Sequence, residues 1–479
     1  FWFVVGTQFL YGEDIFETID SHAAEMCAEW SKKMPCKITA KPCVKTSKEI
    51  LDVMQAANSC DNCAGVITWM HTFSPSKAWI AGFNALQKPY LHINTQYNRD
   101  IPWQDIDMDF MNLNQSAHGD REHGYIAARM RLKRKVVAGY WKDEAFQSKM
   151  ETWIRAAIGA AESKRVHVLR ISDNMRNVAV TDGDKVEAQI KLGWQVDHYG
   201  VGDIIKYVDA VTDDEIDAQM AEYEKNYIMD TDNIDSVRYQ AREEVAIKKF
   251  LDERGFNAFH TNFEDLQGLR QLPGLAAQDL MRQGYGFGAE GDWKVAAMLR
   301  VMTSMAEGLN GGTVFMEDYT YHFEPGNEML LGSHMLEVSP QCAAETPKIQ
   351  VYPLGIGDRE DPARLVFKAQ TGKGIVVTLV DMGDRLRLIC NDVECKEQIN
   401  DMPNLPVAGV LWKPLPNLQT SAEAWIYAGG AHHSLTADNM RDFAEIMGIE
   451  FIHIGENTNI EEFRKELFYN DVAYRLHMN

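Results

Sequence analysis

Phe1–Gln8, FWFVVGTQ, is an apolar run that ends in a loop of small and polar residues, a pattern that predicts a buried strand. A similar run returns at Cys63–Met70, and helix patterns lie between such runs. One of these helix patterns begins near Thr46. Thr46 and Glu49 have the spacing of a capping box, which marks the start of a helix. Repeated strand–helix units predict a mostly parallel sheet covered by helices over residues 1–163.

A second strand–helix series begins at Val166–Ile171, which predicts a second α/β domain over residues 164–310. The pattern changes after Gly311 and Gly312, where strand-like runs separated by turn signals become dominant. Residues 311–479 are therefore predicted to form a β-rich, barrel-like domain.

Composition narrows the class of protein. A chain of 479 residues with 45% hydrophobic and 25% charged residues is expected to form several globular domains. The net charge of −22, without a basic stretch to offset it, argues against nucleic acid and anionic membrane surfaces as partners. No apolar run approaches the length of about 18 residues that a membrane span needs. No basic region precedes Phe1–Gln8, so this run is not expected to be a secretory signal.

The eight cysteines are scattered among apolar neighbours. Cys60 and Cys63 have the CxxC spacing that redox and zinc motifs use, but no second cysteine pair or ligand-spaced histidine follows them. We therefore expect reduced structural thiols, as in a cytoplasmic protein.

Glu290 stands in an unusual setting. The stretch Gly284–Lys294, GYGFGAEGDWK, crowds glycines around a carboxylate immediately before a helix pattern. Such a loop can bring the backbone close to a ligand and hold Glu290 at a helix start. The alternative is a tight turn whose acid only caps the helix.

Glu317 lies within the apolar, aromatic strand pattern Thr313–Phe323. A carboxylate there is costly to bury unless it is paired with a cationic side chain or bound to a metal ion, and both readings stay open. Asp318 is expected on the opposite face of the strand, so only one of the two acids need face a site.

Three histidines complete the set of candidates. His334 lies beside a glycine and before an apolar stretch, where a structural histidine is the simpler interpretation. His432 and His433 follow a Gly pair at the end of an apolar strand, a position that suits a site but also suits a surface loop. Two such imidazoles together with the carboxylates of Glu290 and Glu317 form a plausible ligand set for Mn²⁺, Co²⁺ or a similar ion. A metal ion with free positions could polarise a sugar carbonyl and its neighbouring hydroxyl.

The blocks around these residues resemble those of L-arabinose isomerases, and the likeness runs in order over essentially the whole chain. Eight blocks carry the resemblance: Val5–Gly12, His71–Pro75, Asn112–Gly119, Phe263–Leu266, Gly284–Lys294, Val314–Tyr321, Gly332–Pro340 and Trp425–His433. One departure is that Gly119 is followed by Asp120, where a common family pattern has a second glycine.

The resemblance implies two Rossmann-like or flavodoxin-like parallel α/β domains followed by a β-rich, barrel-like C-terminal domain. It implies conversion of L-arabinose to L-ribulose through a cis-enediol, the first step of L-arabinose catabolism, with D-galactose to D-tagatose as a further activity. It also implies a cytoplasmic homo-oligomer, trimeric or hexameric, whose active sites lie between subunits.

The resemblance further assigns roles to particular residues. One Mn²⁺ per subunit, replaceable by Co²⁺ or another divalent ion, would be held by Glu290, Glu317, His334 and His433. The two glutamates would also act as acid and base. The residues that would contact the sugar are Gln8, Tyr11, Phe73, Gln115, His118, Met175, Phe263 and His432.

Three rival functions remain at this point. A related sugar, such as a fucose-type aldose, would need different pocket residues but the same metal set. A hydride shift with two metals is disfavoured because the sequence shows no second carboxylate-rich cluster. A sugar-binding protein without catalysis would bind its sugar tightly without metal and form no ketose.

Overall fold

The computed structural model describes residues 1–356, 358–398, 402, 404–405, 408–422, 428–432 and 434–476, with the backbone alone for 428–432. The chain divides into two compact units, Phe1–Ala161 and Glu162–Asn479. No helix among these residues is long and apolar enough to cross a membrane.

The first unit contains one parallel sheet of five strands in the order β2-β1-β3-β4-β5. The strands are β1 Trp2–Gly6, β2 Thr39–Ala40, β3 Val66–Met70, β4 Tyr90–Asn94 and β5 Lys135–Ala138. Because β1 and β3 are neighbours with Gly6 opposite Met70, the loops that follow them leave the same edge of the sheet. The strands predicted within Phe1–Gln8 and Cys63–Met70 are confirmed.

Five helices of this unit lie between its strands, as the strand–helix pattern predicts, and a sixth follows its last strand. They are α1 Ile15–Trp30, α2 Ser47–Asn58, α3 Ile80–Ala85, α4 Met108–Leu113, α5 Ser116–Arg129 and α6 Glu144–Ser163. One face of α2 and α3 packs with the sheet in a core that includes Val4, Met54, Trp79 and Phe83.

The predicted capping box at the start of α2 is present. The Glu49 N–H donates to Thr46 Oγ1 at 3.2 Å, and the Thr46 N–H donates to Glu49 Oε2 at 3.1 Å. Two backbone donors that the first helical turn leaves free are thereby satisfied.

We expect Thr46→Ala to lower the stability of the chain by about 1 kcal/mol, because it removes the side-chain acceptor of this cap. A thermal melt of the native chain checks the shift. Ser59→Ala, which removes an exposed hydroxyl that donates to the Gln55 carbonyl, is the control and should change stability by less than about 0.5 kcal/mol. Equal shifts for the two variants would contradict the assignment.

The second unit continues the numbering with fourteen strands among its described residues. They are β6 His167–Ile171, β7 Gln195–Tyr199, β8 Ile228–Met229, β9 Ala258–His260, β10 Gly286–Gly288, β11 Thr313–His322, β12 Met329–Ser333, β13 Lys348–Val351, β14 Ala363–Val366, β15 Gly372–Asp381, β16 Leu386–Lys396, β17 Gly409–Pro414, β18 Ala428–His432 and β19 Glu450–Ile454.

Nine helices accompany these strands in the described part of the unit. They are α7 Lys185–Leu192, α8 Val201–Ala210, α9 Asp213–Asn226, α10 Ile234–Arg254, α11 Leu275–Arg282, α12 Trp293–Met305, α13 Leu418–Ala422, α14 Ala437–Met447 and α15 Ile460–Leu476. Helix α10 is amphipathic and buries Tyr239, Ile247 and Phe250, whereas α12 is buried along nearly its whole length.

The strands of the second unit form three sheets. A parallel sheet has the order β10-β9-β6-β7, which agrees with the predicted second α/β series. A seven-stranded mixed sheet has the order β15-β18-β11-β12-β17-β16-β19, and β16 also pairs with β15. In a third sheet, β13 pairs with β8 in parallel and with β14 in antiparallel fashion. The molecule therefore combines parallel sheets with a mixed sheet near its C-terminus.

All eight cysteines are free thiols, and six of them are buried. The Cys63 thiol donates to the Gly65 carbonyl, so it is held as a structural group. Burial raises the pKa of the Cys27, Cys43, Cys342 and Cys395 thiols to about 12.

Candidate active site

Glu290 lies in a tight turn that connects β10 to α12. Its φ is +56° and that of Gly291 is +86°, so both residues occupy the left-handed region. A Cβ placed on Gly288 would lie 2.2 Å from the backbone oxygen of Asp292. Gly288 is therefore required because the Asp292 backbone approaches it closely, and Gly291 because of its left-handed conformation.

Asp292, and not Glu290, caps the helix that follows this turn. The Asp292 Oδ1 accepts from the backbone N–H of Lys294 at 3.0 Å and from the next N–H at 3.2 Å. The buried Lys294 ammonium lies 3.3 Å from Asp292 Oδ1 and donates to the carbonyls of residues 181 and 182. The capping alternative is thus wrong for Glu290.

Glu317 and His334 meet across the hairpin that β11 and β12 form. Glu317 is opposite Ser333 in the antiparallel register, and His334 follows directly after β12. His334 Nε2 lies 3.7 Å from Glu317 Oε1, and both side chains are largely buried. His334 Nδ1 lies 2.5 Å from Glu337 Oε2. Glu337 therefore holds one ring nitrogen, and the other faces Glu317.

Burial and mutual contact shift the pKa values of these groups. Burial raises the pKa of Glu317 to about 7, although the nearby His334 counteracts the rise. Burial alone would lower the pKa of His334, but the carboxylates of Glu337, Glu317 and Glu290 together outweigh it and raise that pKa to about 9. Burial also raises the pKa of the adjacent Asp318 to about 7. The hairpin therefore holds a carboxyl group that can exchange a proton near neutral pH.

Glu290 and His334 line one cleft of the second unit. Phe263 lines it as well, and the remaining wall is mainly apolar, with Leu272 and Leu354 among its residues. The Met175 N–H donates to the Glu290 carbonyl oxygen at 2.9 Å. The structure thus brings Met175, Phe263, Glu290, Glu317 and His334 into one region.

Five other predicted sugar contacts belong to the first unit, and four of them form two contacting pairs there. Gln8 and Tyr11 lie in the loop after β1, and the Tyr11 hydroxyl donates to Gln115 Oε1 at 3.1 Å. The rings of Phe73 and His118 are stacked with centroids 4.7 Å apart. These loops leave the carboxyl ends of β1 and β3, where ligands bind in open parallel sheets.

His432 is the last residue of β18. His432 pairs with Thr313 of β11 through the backbone, which places it on the strand next to the one that carries Glu317. His433 lies outside the described residues. No group of three or more His, Cys, Asp or Glu side chains in the described part of the chain is arranged to hold a metal ion. The four-residue metal set stays a prediction.

Comparison with known proteins identifies the family of this chain, which the geometry of the site does not do alone. Family models of the L-arabinose isomerase N-terminal, central and C-terminal domains match residues 1–165, 167–308 and 312–450 in that order. The chain belongs to the L-arabinose isomerase family. The resemblance noted in the sequence is thereby confirmed.

Members of the family with curated names are similar along their whole length. The L-arabinose isomerase of Bacillus subtilis is 54% identical over 99% of this chain and 98% of its own. That of Shouchella clausii is 53% identical, and that of Geobacillus kaustophilus 52% identical, with the same coverage.

Two residues of the candidate site in this member of the L-arabinose isomerase family were not predicted from the sequence. Glu337 contacts His334, and Asp292 caps α12 beside Glu290. A signal for Glu337 was present, because a metal-binding histidine usually donates its second ring N–H to a nearby carboxylate. The His334–Glu337 spacing offers such a partner three residues away.

Proposed function

We propose that this chain isomerises L-arabinose to L-ribulose in the cytoplasm, as the first step of L-arabinose catabolism. The observation that carries the proposal is identity of 52–54% with curated L-arabinose isomerases over nearly the full length. The buried Glu317–His334 contact supports it, because aldose–ketose isomerisation needs an acid and a base in a site shielded from water.

Glu290 and Glu317 are the acid and the base of this proposal. A proton leaves carbon 2 of the aldose and one is returned to carbon 1, with a cis-enediol between the two steps. A carboxyl group is most effective at both transfers when its pKa lies near the working pH. Burial raises the pKa of Glu317 to about 7 in the absence of a metal ion, and a cation held beside it would lower that pKa and favour the carboxylate, the form that acts as base. Glu290, on its left-handed turn, faces the same cleft as His334.

The proposed cofactor is one Mn²⁺ per subunit, replaceable by Co²⁺ or another divalent ion, with Glu290, Glu317, His334 and His433 as ligands. The donor set fits, because two carboxylates and imidazole nitrogens suit such ions and Glu337 orients the His334 ring with Nε2 toward Glu317. When bound, the ion supplies positive charge that stabilises negative charge developing on the sugar oxygens.

The proposal extends to the sugar contacts and to assembly. Gln8, Tyr11, Phe73, Gln115 and His118 would bind hydroxyl groups or ring faces of the sugar, together with Met175, Phe263 and His432. The pairing of Tyr11 with Gln115 and of Phe73 with His118 supports their acting as one surface. The assembly would be a trimer or hexamer with active sites at subunit interfaces.

The finer fold class is also proposed. The strand order 2-1-3-4-5 of the first sheet is the flavodoxin-like order, which supports that assignment for the N-terminal domain. A barrel-like C-terminal domain is supported by the pairings of β15, β18, β11, β12, β17 and β16, each of which has two partners in a circuit. Division into domains at 1–163, 164–310 and 311–479 is supported by the family-model bounds near 165 and 310.

The experiment that tests the function is ketose detection across a panel of aldoses, with Mn²⁺ and then with a chelator. We expect L-arabinose to give the most product, D-galactose to give D-tagatose more slowly, and the chelator to stop both. Uptake of solvent deuterium into the product would distinguish the enediol route from a hydride shift. Sugar binding without ketose from any aldose would overturn the proposal in favour of a binding protein.

Glu337→Gln is expected to weaken Mn²⁺ binding by about 10- to 100-fold, because a neutral amide orients and polarises the His334 ring less well than a carboxylate. Titration calorimetry with Mn²⁺ measures this directly, without the reaction. Glu345→Gln, an exposed acid further along the same segment, is the matched control and should bind normally. Unchanged affinity in Glu337→Gln would remove Glu337 from this role.

A further inference from the structure

Five buried polar side chains of the first unit form one continuous chain of contacts that starts and ends on α5. His92 Nε2 lies 2.9 Å from Asp120 Oδ1, and His92 Nδ1 lies 2.8 Å from Thr68 Oγ1. Thr68 Oγ1 lies 2.8 Å from the Tyr90 hydroxyl, which contacts His123 Nε2. All five residues are at most 5% exposed. The chain thus ties two positions of α5, one turn apart, to strands β3 and β4.

The first of these positions lies beside residues of the proposed sugar site. Gln115 precedes α5 as its N-terminal cap residue, and His118 lies in the first turn. A Cβ placed on Gly119 would lie 2.8 Å from Met70 Cβ, so this turn packs directly on β3. Asp120 follows at once and reaches β4 through His92. Contacts at two successive residues therefore determine where the first turn lies.

The Asp120–His92 contact is uncharged or shares one proton. Burial raises the pKa of Asp120 to about 8 and lowers that of His92 to about 3, so a doubly charged pair does not form near neutral pH. In the neutral pair, either a protonated Oδ1 donates to Nε2, or the Nε2–H tautomer of His92 donates to Oδ1. Removal of the Asp120 carboxyl would leave a fully buried ring nitrogen without a partner, which is costly.

We propose that Asp120 and His92 are positioning residues for sugar binding: their contact holds the first turn of α5 against β4 and so orients Gln115 and His118. The proposal rests on the sugar-binding role proposed above for those two residues.

Three variants of the full chain test the proposal. Asp120→Leu has a similar volume but cannot pair with His92. Asp120→Asn keeps a partner for His92 in either protonation state, through its amide oxygen or its N–H. Ile126→Ala, on the same helix, removes buried apolar atoms and none of the polar atoms that form the chain of contacts. Asp120→Ser replaces Asp120→Leu if the latter does not fold.

The expected result separates binding from turnover. Asp120→Leu should raise KM for L-arabinose on the order of 10-fold and change kcat less than about threefold, since it disturbs groups that bind the sugar throughout the reaction. Asp120→Asn should stay within about twofold of the unmodified chain in both constants. Ile126→Ala should lower the melting temperature and leave KM unchanged.

Amide hydrogen exchange supplies a readout that does not depend on the reaction. Exchange over residues 115–121 should be faster in Asp120→Leu than in Asp120→Asn or Ile126→Ala. An unchanged KM in Asp120→Leu, or an equal rise in Ile126→Ala, would overturn the proposal, and so would unchanged exchange. Failure of the proposed function would show itself differently, as absence of ketose from the unmodified chain, and the exchange comparison would still decide the positioning role.

Discussion

Glu317→Gln is expected to lower kcat for L-arabinose by about 10³-fold, the largest effect of any single substitution considered. The amide has nearly the same shape as the carboxyl group but cannot take up a proton from the sugar carbon or return it. The measurement is the initial rate of L-ribulose formation at saturating sugar and saturating Mn²⁺, so that a loss of affinity for either is not mistaken for a loss of turnover.

Glu324→Gln provides the matched control for this variant. Glu324 follows the same strand as Glu317 but is exposed and hydrogen-bonded to Asn327. Its substitution should change kcat less than about twofold. A near-normal rate in Glu317→Gln would remove Glu317 from the acid–base role and leave Glu290 as the remaining candidate.

Gly288→Ala is expected to reduce both activity and stability. The added methyl group would lie 2.2 Å from the Asp292 carbonyl oxygen and 3.1 Å from the Ala296 backbone nitrogen, and backbone atoms cannot move aside cheaply. We expect a loss of about 1–3 kcal/mol in stability from overpacking. Displacement of the Glu290 turn by the order of 1 Å should lower kcat/KM about 100-fold.

Thermal melting and steady-state kinetics of this variant can be compared with those of Gly202→Ala. Gly202 lies in α8 with no atom within 4 Å of the position of an added Cβ. Alanine in a helix is preferred over glycine, so this control should be neutral or stabilising by up to about 1 kcal/mol. Wild-type activity in Gly288→Ala would mean that the turn tolerates displacement and that Glu290 needs no fixed position.

Local patterns were sufficient for the α/β part of the fold. The capping box at Thr46 and the strand at Cys63–Met70 depend on residues close in sequence, so periodicity and capping residues predicted them. The order of the mixed sheet could not be read in this way. Its neighbours include β15 with β18 and β16 with β19, pairings between distant segments that depend on tertiary packing.

The candidate site likewise contains residues that local sequence patterns indicate and residues whose role depends on tertiary packing. Glu290 was singled out because the crowded glycines signal a strained turn, which the structure has. Glu317 and His334 were separate, weak signals until the hairpin register placed Glu317 opposite Ser333. Asp120 carried no signal of its own, since an acid early in a helix is ordinary on the surface and its burial depends on β4.

The reactivity of the buried thiols toward alkylating reagents reports when the core around them opens. Alkylating reagents attack the thiolate, and a thiol with a pKa of about 12, as burial gives Cys27, Cys43, Cys342 and Cys395, contains very little thiolate at neutral pH. Iodoacetamide should therefore label these four positions only when the surrounding core opens. Because Cys27 and Cys43 belong to the first unit and Cys342 and Cys395 to the second, mass spectrometry of the labelled peptides would time the unfolding of each unit separately.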